Sequence, residues 1–297
     1  MKTNTQQDTP ILIIRLGAWG DLMATAGAMQ DIRQHHPKAR IDLLTGSGFA
    51  AFMARCPHLD HIIGDPRPTW TRPWRLAMLA RRLAGTHYGR VDDLQNRRRT
   101  ALYRRLMPPH GAWITDPYAA GVARVHLRQP RLGWAVDDAT DILAAAGVPD
   151  RFVVLANGGS SGNTHRRWPH FQALAQALLD AGVTVVTVPG PDELDLPPLP
   201  GIQLTGGRFL NRHQLAGVLD RARYVVGNDT GPMHLATYLQ TPGCIIRHPY
   251  RVSSIFAENG MDEVVAADLA SIPVQTVLDK TLAALASPRV DRINIDA

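Results

Sequence analysis

Two segments of the C-terminal half carry residue types that could bind a phosphate. The first is an apolar run at 224–227 followed by Asp229, Thr230 and Gly231, where a helix is expected to begin. A helix N-terminus directs backbone N–H groups and a positive dipole end at one point, so a phosphate or diphosphate is its natural ligand. Asp229 could accept from a sugar hydroxyl, and His234 follows one turn later on the same side. The alternatives are a helix N-cap for Asp229 and a core position for His234.

The second segment is rich in glycine and serine, spans 157–164, and precedes Arg166, Arg167 and Pro169. Small residues let the main chain approach phosphate oxygens closely, and a guanidinium can hold them with two hydrogen bonds. The segment therefore predicts an anion-binding loop, with a solvent-exposed flexible loop as the alternative. It is not a P-loop, because no Gly-Lys-Ser/Thr closes it. Pro169 suits the first turn of the helix expected at 169–181.

A carboxylate, Asp21, ends a loop that contains Gly17 and Gly20 and follows the first expected strand. The carboxyl ends of parallel strands form a crevice, so Asp21 could face a substrate. A plain helix N-cap is the alternative. The Gly-Ser-Gly-Phe-Ala-Ala segment at 46–51 matches a dinucleotide-binding pattern, but it follows the second strand and has no acid placed to hold a ribose. A nicotinamide or flavin cofactor is therefore not expected.

These segments lie within an alternation of short apolar runs and helix-compatible stretches, which predicts an α/β fold with parallel sheets. The N-terminal strands are expected at 11–15, 41–45, 61–63 and 91–94, and one helix from the first loop to about His36. The pattern loosens between 116 and 150, around one helix at 138–146. A second series of strands and helices then runs from 152 to 285. We expect an N-terminal domain at 1–145 and a C-terminal domain at 146–297, whose last helix could pack back on the first domain.

Composition fits a soluble globular protein of 297 residues, with 45% hydrophobic and 20% charged residues. That length exceeds what one core usually fills, which favours two domains. The polar N-terminus lacks the features of a secretory signal, so a cytoplasmic location is expected. Cys56 and Cys244 have no metal-ligand partners at useful spacing and are expected to be core thiols, and His58 and His61 are too isolated for a metal site.

Positive charge is concentrated between Arg67 and Arg105, where eleven arginines face two acids, Asp92 and Asp93. Such a surface could attract nucleic acid, anionic lipid headgroups or a phosphorylated acceptor. Heavy arginine usage is the alternative, because the chain has 29 arginines and 3 lysines. No motif that reads RNA or DNA accompanies the cluster, so nucleic acid is not expected as a partner.

Taken in order, four motifs resemble glycosyltransferase family 9, the bacterial heptosyltransferases of the lipopolysaccharide inner core, over about 11–285. They are Arg-Leu-Gly-Ala-Trp-Gly-Asp at 15–21, Asp-Leu-Gln-Asn at 93–96, the Gly/Ser loop ending Arg-Arg-Trp-Pro at 166–169, and Asp-Thr-Gly-Pro-Met-His-Leu-Ala at 229–236. The resemblance implies a GT-B architecture, two Rossmann-like domains facing across a cleft, with acceptor on the N-terminal side. It also implies an inverting transfer from ADP-heptose that needs no metal or other cofactor.

By position, the resemblance assigns Asp21 as the catalytic base that deprotonates the acceptor hydroxyl. It implies a donor site that comprises Ser160, Ser161, Arg166, Asp229, Thr230, Gly231 and His234. It places Gln95 and Asn96 in the acceptor half. Arg166 stands where the family usually has a lysine, and Ile-Arg-His-Pro-Tyr at 246–250 replaces the usual Phe-Gly-Pro-Thr, which bears on recognition of the sugar ring.

The sequence thus predicts a cytoplasmic glycosyltransferase, peripheral on the inner membrane, whose partners are a nucleotide sugar, an anionic glycolipid acceptor and the inner-leaflet surface. Two other functions stay open. One is a nucleotide-sugar epimerase or hydrolase on the same scaffold. The other is a degenerate family member that acts as a scaffold, an alternative suggested by the altered segment at 246–250.

Overall fold

The computed structural model describes residues 9–67, 73–106, 111–116, 130–159, 165–193, 197–205, 209–249 and 255–288. The chain divides into two compact units, Met1–His126 and Leu127–Ala297. Each unit is built on one parallel sheet, as the alternation of the sequence predicts.

The first unit has a five-stranded parallel sheet in the order β3-β2-β1-β4-β5. Its strands are β1 Ile11–Ile14, β2 Ile41–Gly46, β3 His61–Asp65, β4 Arg90–Asp93 and β5 Ala112–Ile114. β1 and β2 are buried at every position. β1 is therefore a continuous apolar run in the sequence, whereas β2 also contains the buried polar residues Asp42 and Thr45. The strand order reverses between β1 and β4. This is the switch point at which ligands bind in open α/β sheets.

The helices of the first unit are α1 Trp19–Met23, α2 Ala26–His35, α3 Ala50–Met53, α4 Pro73–Ala84 and α5 Arg98–Leu106. A single helix was expected from the first loop to His36, but the structure has two. The break falls at Thr25, whose hydroxyl donates to Leu22 O at 2.7 Å. A threonine that bonds a nearby carbonyl in this way competes with the helical backbone pattern.

The second unit has a six-stranded parallel sheet in the order β11-β10-β9-β6-β7-β8. Its strands are β6 Phe152–Ala156, β7 Thr184–Thr187, β8 Ile202–Gln203, β9 Tyr224–Asn228, β10 Gly243–Arg247 and β11 Asp262–Val265. Its helices are α6 Thr140–Ala145, α7 Phe171–Asp180, α8 Arg212–Arg221, α9 Gly231–Tyr238, α10 Ile255–Glu258 and α11 Val274–Ala286. The switch point lies between β6 and β9. Helix α7 begins at Phe171, after an N-cap at His170, so Pro169 lies before the first turn instead of within it.

The last helix, α11, packs within the second unit on α7, β9 and β10. Val277 is fully buried in the same apolar cluster as Trp168 and Phe171. The Trp168 indole N–H also donates to Ile272 O at 3.1 Å, directly ahead of the helix. The apolar face of α11 therefore packs on the second sheet and its helix α7.

Residues 130–146, where the domain junction was expected, also belong to the second unit. Leu132 N–H donates to Tyr238 O at 3.0 Å, and Asp137 N–H donates to His213 O at 3.2 Å. Arg131 forms an ion pair of 2.8 Å with Asp220. The division between the units at 126/127 therefore precedes the expected boundary at 145/146. In the described ranges, no helix combines the length and apolarity needed to cross a bilayer.

Candidate active site

Asp21 lies in the first turn of α1, just beyond the carboxyl end of β1. The N-cap residue of α1 is Ala18, so Asp21 is not the helix cap that the sequence left open. Its side chain is 59% exposed, and Oδ2 lies 3.1 Å from Nη2 of Arg15, the residue after β1. The carboxylate is thus accessible to a substrate and is oriented by a cation at the same sheet edge.

The loop after β4 is joined to this first loop by two hydrogen bonds. Arg15 Nη1 donates to Leu94 O at 2.5 Å, and Gln95 Oε1 accepts from Leu16 N–H at 2.9 Å. Because β1 and β4 are neighbours, the structure brings Asp21 and Gln95 to the same switch point. The Gln95 side-chain oxygen is bonded to the loop after β1, so its NH₂ group can donate a hydrogen bond to a substrate.

Two backbone features fix the shape of these loops. The buried carboxylate of Asp93 accepts from the N–H groups of Gln95 at 3.1 Å and Asn96 at 2.9 Å, and Asn96 adopts a left-handed conformation with φ 41°. Gly17 has φ 127°, and a Cβ there would lie 2.8 Å from Phe49 Cε2. Glycine is therefore required at 17, and the exposed Asn96 tolerates its conformation as asparagine commonly does.

In the second unit, Asp229, Thr230 and Gly231 form a partly exposed turn between β9 and α9. Thr230 is the N-cap of α9 and makes no side-chain capping bond, so Asp229 is not the cap. Pro232, which follows Gly231, has no N–H, and the N–H groups of Met233 and His234 both donate to Thr230 O at 3.1 Å. This leaves the N–H groups of Thr230 and Gly231 for a ligand. A Cβ on Gly159 would lie 3.5 Å from Thr230 Cγ2, which places the Gly/Ser loop beside this turn.

His234 lies one turn into α9, on the side predicted from the sequence. Its Nε2 is 3.3 Å from Asp229 Oδ1, and its ring centroid is 4.8 Å from that of Phe256 and 6.5 Å from that of Tyr238. Its side chain is partly exposed, which is not the core position left open. The imidazole therefore holds the Asp229 carboxylate in place from within the helix.

Asn228, which the sequence reading did not single out, connects the two loops of the second unit. It is fully buried, and its Oδ1 accepts from Trp168 N–H at 2.9 Å. Its Nδ2 donates to Asn157 O at 2.9 Å and to Gly158 O at 3.1 Å. A polar residue that ends an otherwise apolar strand was the available signal. A buried amide persists there because its hydrogen bonds are satisfied.

The two arginines after the Gly/Ser loop have different surroundings. Arg167 Nη2 donates to Gly159 O at 2.6 Å and thus holds the beginning of the loop. Arg166 is exposed and forms no hydrogen bond to any described residue, so its guanidinium is available to a ligand. Ser160 and Ser161 lie outside the described residues.

The altered segment after β10 is also tied to the Gly/Ser loop. His248 Nε2 lies 3.1 Å from His165 O, and its Nδ1 lies 3.1 Å from Ala267 O. The preceding Arg247 is buried and forms an ion pair of 2.6 Å with Glu263. His248 thus connects β10 to the loop that carries Arg166. The only sign of this link in the sequence is that the segment at 246–250 differs from the usual family motif.

Within the described part of the chain, no group of three or more His, Cys, Asp or Glu side chains is arranged to hold a metal ion. Both cysteines are buried and free, as expected for core thiols. Burial raises the pKa of Cys56 to about 11 and that of Cys244 to about 12. Such thiols are poor nucleophiles and poor metal ligands at neutral pH.

Comparison with known proteins identifies the scaffold. The sequence model described as glycosyltransferase family 9 (heptosyltransferase) matches residues 123–245. Lipopolysaccharide heptosyltransferase 3 of Escherichia coli K12 is 23% identical over 269 residues, covering 75% of this chain and 78% of the relative. Residues 123–245 of the chain are thus those of a glycosyltransferase family 9 protein.

Solved heptosyltransferase structures share its fold. The ADP-heptose lipopolysaccharide heptosyltransferase II of E. coli has a TM-score of 0.71 at 20% identity, covering 93% of this chain and 98% of that one. The E. coli heptosyltransferase WaaC, solved with ADP, has a TM-score of 0.66 at 18% identity, covering 93% and 99%. The two parallel α/β units thus have the GT-B fold of these structures. The family match and the curated relative make the protein a glycosyltransferase.

Proposed function

We propose that this glycosyltransferase moves a heptose from ADP-heptose to a lipopolysaccharide-core acceptor, with inversion at the anomeric carbon and without a metal ion. The relatives support the sugar and the acceptor class, since their names specify heptose, ADP and lipopolysaccharide. The observation that carries the proposal is the turn at Asp229–Gly231, which presents a carboxylate and N–H groups beside the Gly/Ser loop.

The donor binds at the switch point of the second sheet. Its diphosphate lies at the N-terminus of α9, where the N–H groups of Thr230 and Gly231 and the helix dipole favour negative charge. Arg166 contacts the phosphates from the other loop, together with Ser160 and Ser161. Asp229, held by His234, accepts from a hydroxyl of the sugar.

The acceptor binds at the switch point of the first sheet, next to Gln95 and Asn96. Its hydroxyl oxygen attacks the anomeric carbon while the bond from that carbon to the diphosphate oxygen breaks. The hydroxyl proton passes to the Asp21 carboxylate, which acts as general base. Arg15 orients that carboxylate. A single displacement by an oxygen from the opposite face inverts the anomeric centre.

Charge on the leaving ADP is stabilised by groups of the protein in this proposal. Fixed N–H donors, the α9 dipole and the Arg166 guanidinium face the position where negative charge develops. These groups serve in place of a divalent cation. Addition of a chelator should therefore leave the transfer rate unchanged, and a rate that depends on added Mg²⁺ or Mn²⁺ would contradict this part of the proposal.

The central test replaces Asp21 by asparagine, which keeps the shape of the side chain and removes the base. Transfer from ADP-heptose should fall by roughly 10² to 10⁴-fold, the usual contribution of a general base. Affinity for ADP, measured by calorimetry, should stay within twofold of wild type. Asp150→Asn is the matched control, because its side chain is 99% exposed in the second unit, and it should be fully active. Transfer by Asp21→Asn at the wild-type rate would remove Asp21 from the mechanism.

A companion variant, Asp229→Ala, should weaken binding of ADP-heptose more than binding of ADP, because only the sugar loses a partner.

Incubating the enzyme with ADP-heptose and no acceptor separates transfer from the epimerase or hydrolase alternatives, since rapid product formation without an acceptor favours those alternatives. A thermal-shift screen of ADP, UDP and GDP and their sugars identifies the donor base, because a ligand of the native state raises the apparent melting temperature. Absence of any shift would favour the degenerate scaffold.

We also propose that the protein works at the cytoplasmic face of the inner membrane as a peripheral protein. A glycolipid acceptor is held in the bilayer, so the enzyme must approach the headgroup region.

A further inference from the structure

Helix α4 of the first unit presents two large apolar side chains to solvent. Trp74 is 57% and Met78 is 68% exposed, while Leu79 and Leu83 on the opposite face are buried. Trp74, Met78 and Arg81 are spaced three and four residues apart, so they lie on one outward face of the helix. Exposed large apolar residues that share a face indicate an interaction surface.

Helix α5 lies on the same side of the sheet as α4. Tyr103 of α5 belongs to the apolar cluster that contains Leu79 and Leu83 of α4. Every ionisable side chain on the two helices, apart from that tyrosine, is an arginine: Arg75, Arg81, Arg82, Arg98, Arg99, Arg104 and Arg105. The described residues supply no ion-pair partner to Arg81, Arg82, Arg98 or Arg105. The α4–α5 surface, as we call Trp74, Met78 and these four arginines, is therefore apolar and cationic with no acid.

The topology places one end of this surface at the edge that carries Asp21. Each helix between parallel strands starts where the preceding strand ends, at the carboxyl edge of the sheet. Trp74 follows β3 and Arg98 follows β4, so both lie towards the edge where Asp21 follows β1. Arg81, Arg82 and Arg105 extend the surface away from that edge.

We propose that the α4–α5 surface docks on an anionic lipid bilayer. Trp74 and Met78 enter the boundary between headgroups and acyl chains, and the arginines bind lipid phosphates. This combination of an apolar stripe and cationic flanks is the pattern of interfacial helices. The inference deepens the proposed function, on which it rests for the claim that the acceptor is a glycolipid, since docking would bring Asp21 near the headgroup layer.

Charge favours this occupant over two others. A second copy of the chain, paired through the same face, would set arginine against arginine with no acid to offset the repulsion. Nucleic acid would use the arginines but would give no reason for an exposed methionine on the same helix face as Trp74. An anionic bilayer satisfies both the charge and the apolar side chains.

The test is flotation of the full-length protein with vesicles of phosphatidylcholine alone or with 30 mol% phosphatidylglycerol. Wild type should float with the anionic vesicles only, and less at high salt. Arg81→Gln/Arg82→Gln should weaken vesicle binding roughly 30-fold, because each arginine close to an anionic membrane surface raises the binding constant about fivefold. Trp74→Ala/Met78→Ala should weaken it on the order of tenfold and abolish the part that resists salt.

Control variants remove two charges, or part of one exposed apolar side chain, outside the surface. Arg55→Gln/Arg221→Gln takes two exposed arginines from outside α4 and α5, and Val265→Ala shortens an exposed apolar side chain of the second unit. Both should float like wild type. If they lose binding as much as the surface variants, the attraction is diffuse charge and the docking proposal is wrong.

The flotation assay and the transfer assay test the docking proposal and the proposed function separately. The surface variants should keep wild-type transfer to a delipidated, water-soluble acceptor, because none of the altered residues lies in the active site. Wild type that transfers sugar but does not float overturns the docking surface and leaves the proposed function standing. Wild type that floats but transfers nothing does the reverse. A dimer that Trp74→Ala/Met78→Ala dissociates, or vesicle binding that RNA displaces, would also overturn the proposal.

Discussion

Replacing Asn228 by alanine is the most direct perturbation of the candidate donor site. The substitution removes the hydrogen-bond partner of three backbone groups: the buried Trp168 N–H, the buried Gly158 carbonyl and the part-buried Asn157 carbonyl. At about 1 kcal/mol for each lost hydrogen bond, the free energy of unfolding of the second unit should fall by about 3 kcal/mol. For a unit of this size, that corresponds to a melting temperature lower by roughly 6–12 °C.

The same variant should also bind ADP more weakly, on the order of tenfold. Two of the three bonds end at the beginning of the Gly/Ser loop and the third ends just after it. Without them, part of the free energy of ADP binding is spent on fixing the loop. Calorimetry at 15 °C measures this affinity while the variant is folded. Asn211→Ala is the matched control: it removes two capping bonds at the start of α8, and should lower the melting temperature without changing ADP affinity.

A second substitution, Asn228→Asp, tests the orientation of the amide. It keeps an acceptor for Trp168 N–H but sets a carboxylate oxygen against the carbonyls of Asn157 and Gly158, so it should be at least as damaging as alanine. If Asn228→Ala melts at the wild-type temperature, the count of hydrogen bonds is refuted. If it melts early but binds ADP normally, Asn228 supports the fold and not the site.

Two further predictions concern pH and thiol chemistry. Burial of the His36 side chain, followed by the charges of Arg90 and then His35, holds the pKa of His36 below its ordinary value of 6.5. As pH falls, His36 therefore takes up a proton in the unfolded chain before it does so in the folded protein. The free energy of unfolding should thus fall as pH drops below about 6.5. His36→Gln should reduce the loss of melting temperature between pH 7.5 and 5.5, and an unchanged slope would assign that loss to other groups. Cys56 and Cys244 should resist iodoacetamide at pH 7.5 in the native protein and both react in urea, as mass spectrometry would show; one fast-reacting thiol in the native state would contradict their burial.

The central strands of both sheets were predictable from the sequence because they are buried on both faces and read as apolar runs. β6 lies at 152–156 and β9 begins at Tyr224, as expected. The strands that were not predicted are β5, β8 and β11. They lie at sheet edges, are two to four residues long and are half exposed, so their apolar signal is weak.

The candidate site was predictable to the extent that its residues stand in contiguous motifs. The structure brings Asp229, Thr230 and His234 together at one turn, and it places Asp21 and Gln95 at one switch point. Their roles in binding and catalysis remain predictions. Long-range partners were beyond reach: nothing local in the sequence pairs Asn228 with Trp168, 60 residues earlier, because sequence periodicity carries no information on which loops meet.

The buried position of Trp168 gives the second unit an intrinsic optical reporter. Its indole is packed edge-on against Phe171 and His170, and its peptide nitrogen is bonded to Asn228 beneath the Gly/Ser loop. A shielded indole emits at shorter wavelength than an exposed one such as Trp74. Binding of a nucleotide at the loop should therefore register as a change on the blue side of the emission spectrum, with Trp168→Phe identifying its source, and no label needs to be attached.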